Sequence, residues 1–187
     1  MIYQLSIRLD NVEPEVSRVV VVEDDMTLFE LHLVVQIAMG WENCHLWQME
    51  ISQRTFTDSQ IDEYLEADEA RGVLLREILP LEIGFEFDYT YDYGDNWEHT
   101  IRIEKIQKSV LGKRYPLALS GENACPPEDC GGHSGYDNLL FLLKNPQHPG
   151  YQARIVDWLG DDFDPTEFDL EEVNDRLEIF DQIRDLM

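Results

Sequence analysis

The chain has 187 residues, of which 39 are Asp or Glu and only 14 are Lys or Arg, so its formal net charge is −25. Because affinity for nucleic acids and for anionic membrane surfaces rests largely on Lys and Arg, this balance argues against both as partners. The composition is 43% hydrophobic, which is enough for a folded core. No apolar run approaches the ~20 residues of a membrane helix, and the first residues lack the regions of a secretory signal. We therefore expect a soluble, cytoplasmic protein.

The first two predicted elements are strands. Residues 2–9 alternate between apolar and polar side chains, as in a half-buried strand. Residues 16–22 follow a short turn and contain four consecutive valines. Such a run predicts burial on both faces of the sheet, or an edge that another element covers. The two segments together predict an opening antiparallel hairpin.

A helix and a third strand follow. Thr27 and Glu30 have the spacing of a capping box, and the apolar residues after them recur at helical spacing until Gly40. Residues 45–51 alternate again and predict a strand. Residues 53–72 have little periodicity, so we expect them to form a loop.

The clearest β pattern lies between residues 83 and 103. Odd-numbered positions are mostly aromatic or aliphatic on both halves of this segment. The two apolar sets share a face of a hairpin only if the connecting loop has an odd number of residues. The shortest such loop is Gly94-Asp95-Asn96, with Asn96 in the left-handed conformation. This register pairs Tyr91 with His99.

The remainder of the chain is irregular at first and then helical. Residues 107–135 contain several Pro and Gly residues and no period, which is typical of a functional loop or a linker. Helical spacing resumes at residues 136–144 and 151–159. A last helix is predicted to begin after Asp164 as its N-cap residue.

This order of elements predicts an α+β fold. We expect an antiparallel sheet with a central hairpin packed by helices, and a helical C-terminal third. Residues 1–187 are expected to form a single domain. Within it, residues 1–106 are rich in strands, residues 107–135 form the irregular loop, and residues 136–187 are helical.

Four separated segments resemble the blocks of one known protein family. They are LHLVVQIAMGWENCHLW (31–47), YDYGDNWEHTIRIEK (91–105), GENACPPEDCGGHSGYDNLL (121–140) and LGDDFDPTEFDLEEVN (159–174). In this order they resemble the plasmid pRiA4b ORF-3-like family, whose members are α+β proteins of plasmids, mobile elements and prokaryotic chromosomes. The resemblance implies the fold but no established activity. One segment departs from it, because members usually have Pro-x-Ile/Val-Trp-Arg-Arg where this chain has Pro14-Glu15-Val16-Ser17-Arg18-Val19.

Cys125 and Cys130 are candidate metal ligands. Two thiolates at C-x4-C spacing, together with His99 and Asp95 from the hairpin, supply the donor types of a tetrahedral zinc site, and Asp92 is an alternative carboxylate ligand from the same hairpin. Two other interpretations stay open. In the first, which we rank highest, both thiols are buried and anchor the loop. In the second they form a local disulfide, which a reducing cytosol disfavours. The acidic residues between the cysteines oppose a lowered thiol pKa and hence a redox pair.

Among the polar residues of the hairpin, His99 is the one that is least accounted for by the residue preferences of a turn. Its strand face otherwise carries large apolar side chains, so we expect it to line a pocket together with Tyr91 and Trp97. Cys44 is instead expected to be a packing residue, and His45 to belong to the third strand.

Two functions fit these features. The first, which we favour, is a non-enzymatic module that binds a protein partner through its acidic surface. The second is a metal-dependent, hydrolase-like enzyme that uses zinc or another divalent cation between residues 91–99 and 125–133. The second function requires that the loop of residues 121–135 lies against the hairpin. The sequence contains no nucleotide-binding glycine motif and no nucleophile motif of the Gly-x-Ser-x-Gly type.

Overall fold

The structure, a computed structural model, describes residues 1–58, 66–160, 163–180 and 182. Its strands are β1 (Ile2–Leu9), β2 (Ser17–Glu23), β3 (Trp47–Ile51), β4 (Arg54–Thr57), β5 (Asp68–Glu69), β6 (Glu86–Tyr91), β7 (Trp97–Gln107) and β8 (Leu117–Glu122). Its helices are α1 (Leu28–Met39), α2 (Leu75–Ile78), α3 (Gly132–Leu143) and α4 (Leu170–Glu178), and a π-helical segment spans Gln152–Leu159.

The strands of the described residues form one sheet in the order β5-β4-β3-β6-β7-β1-β2-β8. The α+β class is therefore confirmed. The sheet is mixed rather than antiparallel throughout, because β4 and β5 pair in parallel. None of the helices within the described ranges has the length and hydropathy needed to cross a membrane.

One face of the sheet is buried. Along β6 and β7 the odd-numbered side chains from Phe87 to Tyr91 and from Trp97 to Ile103 are at most 3% exposed. Even-numbered neighbours such as Asp88 and Glu98 face solvent. The buried apolar side chains of α1 belong to the same hydrophobic cluster, so this helix covers the apolar face.

The opening hairpin is confirmed, and β8 explains its valine-rich second strand. β1 and β2 pair with Tyr3 opposite Val22 and Leu5 opposite Val20. β8 pairs with the other edge of β2, so β2 is an interior strand. Three of its four valines are accordingly at most 4% exposed.

Helix α1 begins and ends where the sequence predicts. The Thr27 side chain accepts a hydrogen bond from the Glu30 backbone, and the Glu30 carboxylate accepts one from the Thr27 backbone. Gly40 takes the left-handed conformation with φ 94° and donates to the Gln36 carbonyl group. Both ends of the helix are therefore capped by local side-chain and backbone chemistry.

The last turn of α1 contains no basic residue of its own, and Arg18 from β2 supplies the positive charge there. The Arg18 Nε atom donates to the Ala38 carbonyl group at 2.7 Å. Its Nη1 atom donates to the carbonyl groups of Ser17 and Glu122 at 2.7 and 2.9 Å. The guanidinium group also stacks on Phe168, 4.4 Å from the ring centre. Arg18, which lies in the segment that departs from the family pattern, thus joins β2, α1 and the chain that leads to α4.

The register of the β6–β7 hairpin differs from the predicted one. Tyr91 pairs with Trp97 and His99 pairs with Tyr89, so the loop consists of the five residues 92–96. The prediction of an odd loop and of a left-handed Asn96 is confirmed, but the three-residue length is wrong. Asp92 is left-handed as well, with φ 55°, and its carbonyl group accepts a hydrogen bond from the Asn96 backbone. This wider turn ends β6 two residues earlier than predicted, so each β7 residue pairs with a β6 residue two positions before the predicted one.

Two segments predicted to be irregular contain strands. Part of residues 53–72 forms β4 and β5, and residues 59–65 of the predicted loop lie outside the described residues. The segment 107–135 contains β8, which the pairing with β2 supports from one side. On its other side, the Asn174 side chain exchanges two hydrogen bonds with the Ala118 backbone. These strands therefore form through pairing with residues that are distant in the sequence, and their own side-chain pattern does not reveal them.

Helices α3 and α4 do not begin at the residues that the sequence predicts. Helix α3 starts at Gly132, four residues before the predicted segment 136–144. Helix α4 starts at Leu170, where Asp169 is the N-cap residue and accepts hydrogen bonds from two backbone N–H groups. Asp164 instead caps a single turn, because its carboxylate accepts from the backbone and the hydroxyl group of Thr166.

Candidate metal centre

His99, the central residue of the predicted site, is inside the core. Its side chain is 1% exposed, and burial lowers its pKa to about 4. The Nδ1 atom lies 3.2 Å from the Tyr89 carbonyl group, which can only accept, so Nδ1 carries the hydrogen. The Nε2 atom has no hydrogen-bond partner among the described residues. His99 is thus a neutral imidazole between Tyr89 and Trp41. The centre of each of these rings lies 5.2 Å from the centre of the imidazole ring.

The two cysteines of the predicted site are neutral thiols. Cys130 is buried and Cys125 is partly buried, and neither forms a disulfide. Desolvation by burial raises the pKa of Cys125, and it raises that of Cys130 to about 12. This state fits the interpretation that we ranked first, in which both thiols anchor the loop.

Asp95 connects the hairpin loop to the cysteine-containing loop. Its Oδ2 atom accepts a hydrogen bond from the Gly131 backbone at 3.0 Å. A side chain at Gly132 would approach the Asp95 carbonyl oxygen to 2.8 Å, so the two loops pack closely there. Within the described ranges, the groups of three or more candidate ligands within 4.8 Å of one another include none of Asp95, His99, Cys125 and Cys130.

The predicted pocket residues are aromatic core residues. Tyr91 and Trp97 are fully buried, like His99. Trp41 stacks on Tyr91 with ring centres 4.8 Å apart and donates from Nε1 to the Pro126 carbonyl group at 3.1 Å. The aromatic cluster therefore places the loop that contains Pro126 against the hairpin, which is the contact that the enzyme hypothesis requires.

The hairpin loop with Asp92 and the loop with Glu128 and Asp129 meet around His45. The His45 Nε2 atom lies 3.2 Å from Asp129 Oδ1, 3.7 Å from Glu128 Oε2 and 3.8 Å from Asp92 Oδ2. Zinc lies about 2.0–2.2 Å from nitrogen and oxygen ligands, which places two ligands of a tetrahedral site about 3.3–3.6 Å apart. The three distances from His45 are close to this value. Among the described residues, the ligand atoms that all lie within 4.8 Å of one another form two groups that share His45, one with Asp92 and Asp129 and the other with Cys44 and Glu128.

Hydrogen bonds orient two of the carboxylates of this cluster. Glu128 Oε1 accepts from the Tyr91 hydroxyl group and from the Glu42 backbone, both at 2.9 Å. Asp92 Oδ1 accepts from the Gly94 backbone at 2.8 Å. In both carboxylates the second oxygen is the one that faces His45. Support of this kind from a second layer of residues is typical of protein metal sites.

Two atoms at the centre of the cluster lack hydrogen-bond partners. His45 Nε2 and Glu128 Oε2 are both shielded from solvent, and neither forms a hydrogen bond with any described residue. A buried polar atom without a partner costs about 1–3 kcal/mol. A cation between them would satisfy both atoms.

The backbone on both sides of the cluster is in a conformation that is uncommon for residues other than glycine. Asp92 and Asp129 have φ angles of 55°, and Asn43, two residues before His45, has a φ of 54°. Such conformations cost free energy and often occur at functional sites. Here they direct the carboxylates of Asp92 and Asp129 toward the same imidazole.

Cys44 lies beside this cluster. It is exposed, which corrects the expectation that it is a packing residue. Its ligand atom and those of His45 and Glu128 lie within 4.8 Å of one another. Partial desolvation, with a smaller contribution from Glu128 and Asp129, raises the pKa of the Cys44 thiol.

Sequence reasoning missed His45. It was assigned to the third strand, but β3 begins two residues later, at Trp47. Two signals were present. His45 lies in the family-like segment 31–47, and the acidic pair Glu128-Asp129 lies in another family-like segment. The folded chain brings these segments and the hairpin segment with Asp92 to one place.

Fold and site together define an α+β protein with a histidine and carboxylate cluster at the loop of a central hairpin. The sequence model of the plasmid pRiA4b ORF-3-like protein family matches residues 1–172, and the chain belongs to this family.

Two relatives support this assignment. The chain is 36% identical over 181 residues to the uncharacterized protein y4hQ of Sinorhizobium fredii, covering 92% of this chain and 89% of the relative. It is also similar to the crystal structure of the protein of unknown function MM3350 from Methanosarcina mazei Go1, with a TM-score of 0.83 and 34% identity. That comparison covers 91% of this chain and 95% of the other. Neither name states an activity.

Proposed function

We propose that this protein binds a divalent metal ion through His45, Asp92, Glu128 and Asp129. The observation that carries the proposal is the pair of unpartnered, shielded atoms, His45 Nε2 and Glu128 Oε2, 3.7 Å apart. Zinc is the ion that we expect, since an imidazole with carboxylates is a common ligand set for it.

The competing explanation is an ion pair between a protonated His45 and its acidic neighbours. Charged groups that are paired inside a protein normally form short hydrogen bonds. The His45 Nε2 atom forms none with the described residues, although Asp129 Oδ1 lies only 3.2 Å away. Atoms that converge without a hydrogen bond fit ligands around a cation better than they fit an ion pair.

The reaction class that such a site supports is hydrolysis. A bound divalent ion lowers the pKa of a coordinated water molecule and so supplies a nucleophile at neutral pH. A catalytic zinc ion has three protein ligands and keeps one position open for this water, so only three of the four side chains would bind the ion at the same time. The Asp129 side chain is 73% exposed, so the cluster faces solvent on one side. A hydrolase-like activity is therefore our proposal for what the metal does.

Metal titration of the untagged protein tests the proposal. After removal of metal with a chelator, calorimetry should show one Zn²⁺ per chain. His45→Gln and Asp129→Asn should each weaken binding at least about tenfold, the range typical of altered metal sites. His148→Gln, at an exposed position outside the cluster, is the matched control and should bind like the wild type.

Unfolding curves of each variant show whether it is folded. Folded wild-type protein that binds no zinc, manganese or nickel would contradict the proposal. Equal affinity in the wild type and in His45→Gln would also contradict it.

A protein-interaction role is our second proposal. It is supported by the net charge of −25 and by large apolar side chains at the surface, among them Phe141 and Trp158, which are 51% and 41% exposed. A basic protein partner would complement this charge. A photo-crosslinking residue at position 158 should capture one recurrent basic protein, and a captured set that differs between repeats would count against the role.

A further inference from the structure

The chain has three cysteines, and their environments differ. Cys130 lies within the aromatic and aliphatic core, and Cys125 is partly buried against it. Cys44 is the exposed one, and it directly precedes His45 in the sequence. Its thiol is therefore the one that solvent and a metal ion can both reach.

The backbone holds Cys44 next to the cluster. The Cys44 N–H group donates to the Tyr91 hydroxyl oxygen at 3.1 Å, and the same hydroxyl group donates to Glu128 Oε1. The Cys44 Sγ atom lies 3.8 Å from that hydroxyl oxygen. Tyr91 thus connects the thiol to one of the proposed ligands. A rotation about one side-chain bond is enough to change the position of an exposed thiol.

We propose that the Cys44 thiolate is a ligand of the metal ion, so that the site selects thiophilic ions such as Zn²⁺ over Mg²⁺ and Ca²⁺. This inference rests on the proposed metal-binding function. Sulfur and imidazole ligands favour zinc and similar ions, whereas a site of oxygen ligands alone suits Mg²⁺ and Ca²⁺. On binding, the S–H bond breaks, a sulfur–metal bond forms, and the proton leaves to solvent.

The proposal has a regulatory consequence. A free thiol at the surface is open to alkylation and oxidation, whereas a metal-bound thiolate is shielded. Metal binding should protect Cys44 from these reactions, and modification of Cys44 should in turn weaken metal binding. By linkage, the two effects must accompany each other.

Alkylation kinetics test the proposal. Folded, metal-free protein is treated with iodoacetamide, and the modified cysteine is identified by mass spectrometry of peptides. Cys44 should be modified first. At a free Zn²⁺ concentration ten times Kd, about one tenth of the sites are empty, so modification should be about tenfold slower. The same concentration of Mg²⁺ should leave the rate unchanged.

Two variants separate this inference from the proposed function. His45→Gln should keep the reactive thiol but lose the protection by zinc. Cobalt bound to the wild type should show the absorption band of a cobalt–thiolate bond, and Cys44→Ser should lose that band while it still folds.

The outcomes are distinguishable. One Zn²⁺ per chain with unprotected Cys44 would overturn the ligand role of Cys44 and leave the metal site standing. Protection that persists in His45→Gln would place the metal elsewhere and overturn the inference. Absence of metal binding in the folded wild type would overturn both.

Discussion

Two buried histidines, His32 and His99, should make the protein less stable in mild acid. Burial lowers the pKa of His32 to about 3 and that of His99 to about 4. His32 stacks on Trp47 with ring centres 4.1 Å apart, and its nitrogen atoms lie 2.9 Å from the Tyr89 hydroxyl oxygen and 2.7 Å from Asn43 Oδ1. These contacts suit a neutral imidazole.

The sign of the effect follows from the lowered pKa values. In the unfolded chain a histidine has a pKa of about 6.5, so it binds a proton as the pH falls below that value. The folded state does not bind that proton until the pH approaches 4 for His99 and 3 for His32. Stability contributed by each residue is therefore complete above pH 6.5 and declines below it. Between pH 8 and pH 5 each histidine should account for a loss of about 2 kcal/mol.

Urea unfolding at pH 8 and pH 5, in the presence of a chelator, measures this loss. His99→Gln cannot take up a proton, so its difference in unfolding free energy between the two pH values should be about 2 kcal/mol smaller than that of the wild type. The substitution also has a cost that does not depend on pH, which cancels in this comparison. His148→Gln, at an exposed position, is the matched control and should retain the wild-type difference.

The reasoning would be refuted by a His99→Gln protein that loses as much stability between pH 8 and pH 5 as the wild type does. Proton NMR gives a second measurement, because the His32 and His99 resonances should not shift between pH 8 and pH 5.

Two further predictions concern the attachment of the C-terminal segment. Arg18→Met should lower the free energy of unfolding by about 2–4 kcal/mol, because three backbone carbonyl groups lose their donor, and a urea midpoint close to that of the wild type would contradict this role. Gly121→Ala should cost about 1–3 kcal/mol, since the new Cβ atom would lie 2.5 Å from the Phe168 ring and 2.8 Å from the Arg18 side chain. Faster proteolysis between residues 163 and 169 should accompany it, and an unchanged cleavage rate would show that the Phe168 ring moves aside freely.

Short-range sequence patterns were sufficient to predict helix α1 and the alternation of buried and exposed side chains along the strands. The capping box of Thr27 and Glu30 and the stop at Gly40 act within a few residues of each other, so they can be recognised without the rest of the chain. The same holds for the alternating aromatic side chains before and after the hairpin loop. The family was recognisable for a similar reason, because its segments are continuous in sequence.

The sequence did not decide the hairpin register or strand β8. Side-chain alternation has a period of two, so a three-residue and a five-residue loop satisfy it equally. The left-handed Asp92 and the hydrogen bond across residues 92–96 favour the longer loop in the folded chain. β8 has little alternation of its own, and its order comes from pairing with β2, about a hundred residues earlier.

The acidic composition and the candidate residue types were visible in the sequence, whereas the cluster around His45 depends on tertiary structure. Its side chains come from the segment before β3, from the hairpin loop and from the loop before α3. No spacing in the sequence relates His45 to Asp92 or to Glu128. The aromatic core brings these loops together, through Trp41 stacked on Tyr91 and the Tyr91 hydroxyl group bonded to Glu128. The residues of this site are therefore set by packing at long range, which local pattern does not encode.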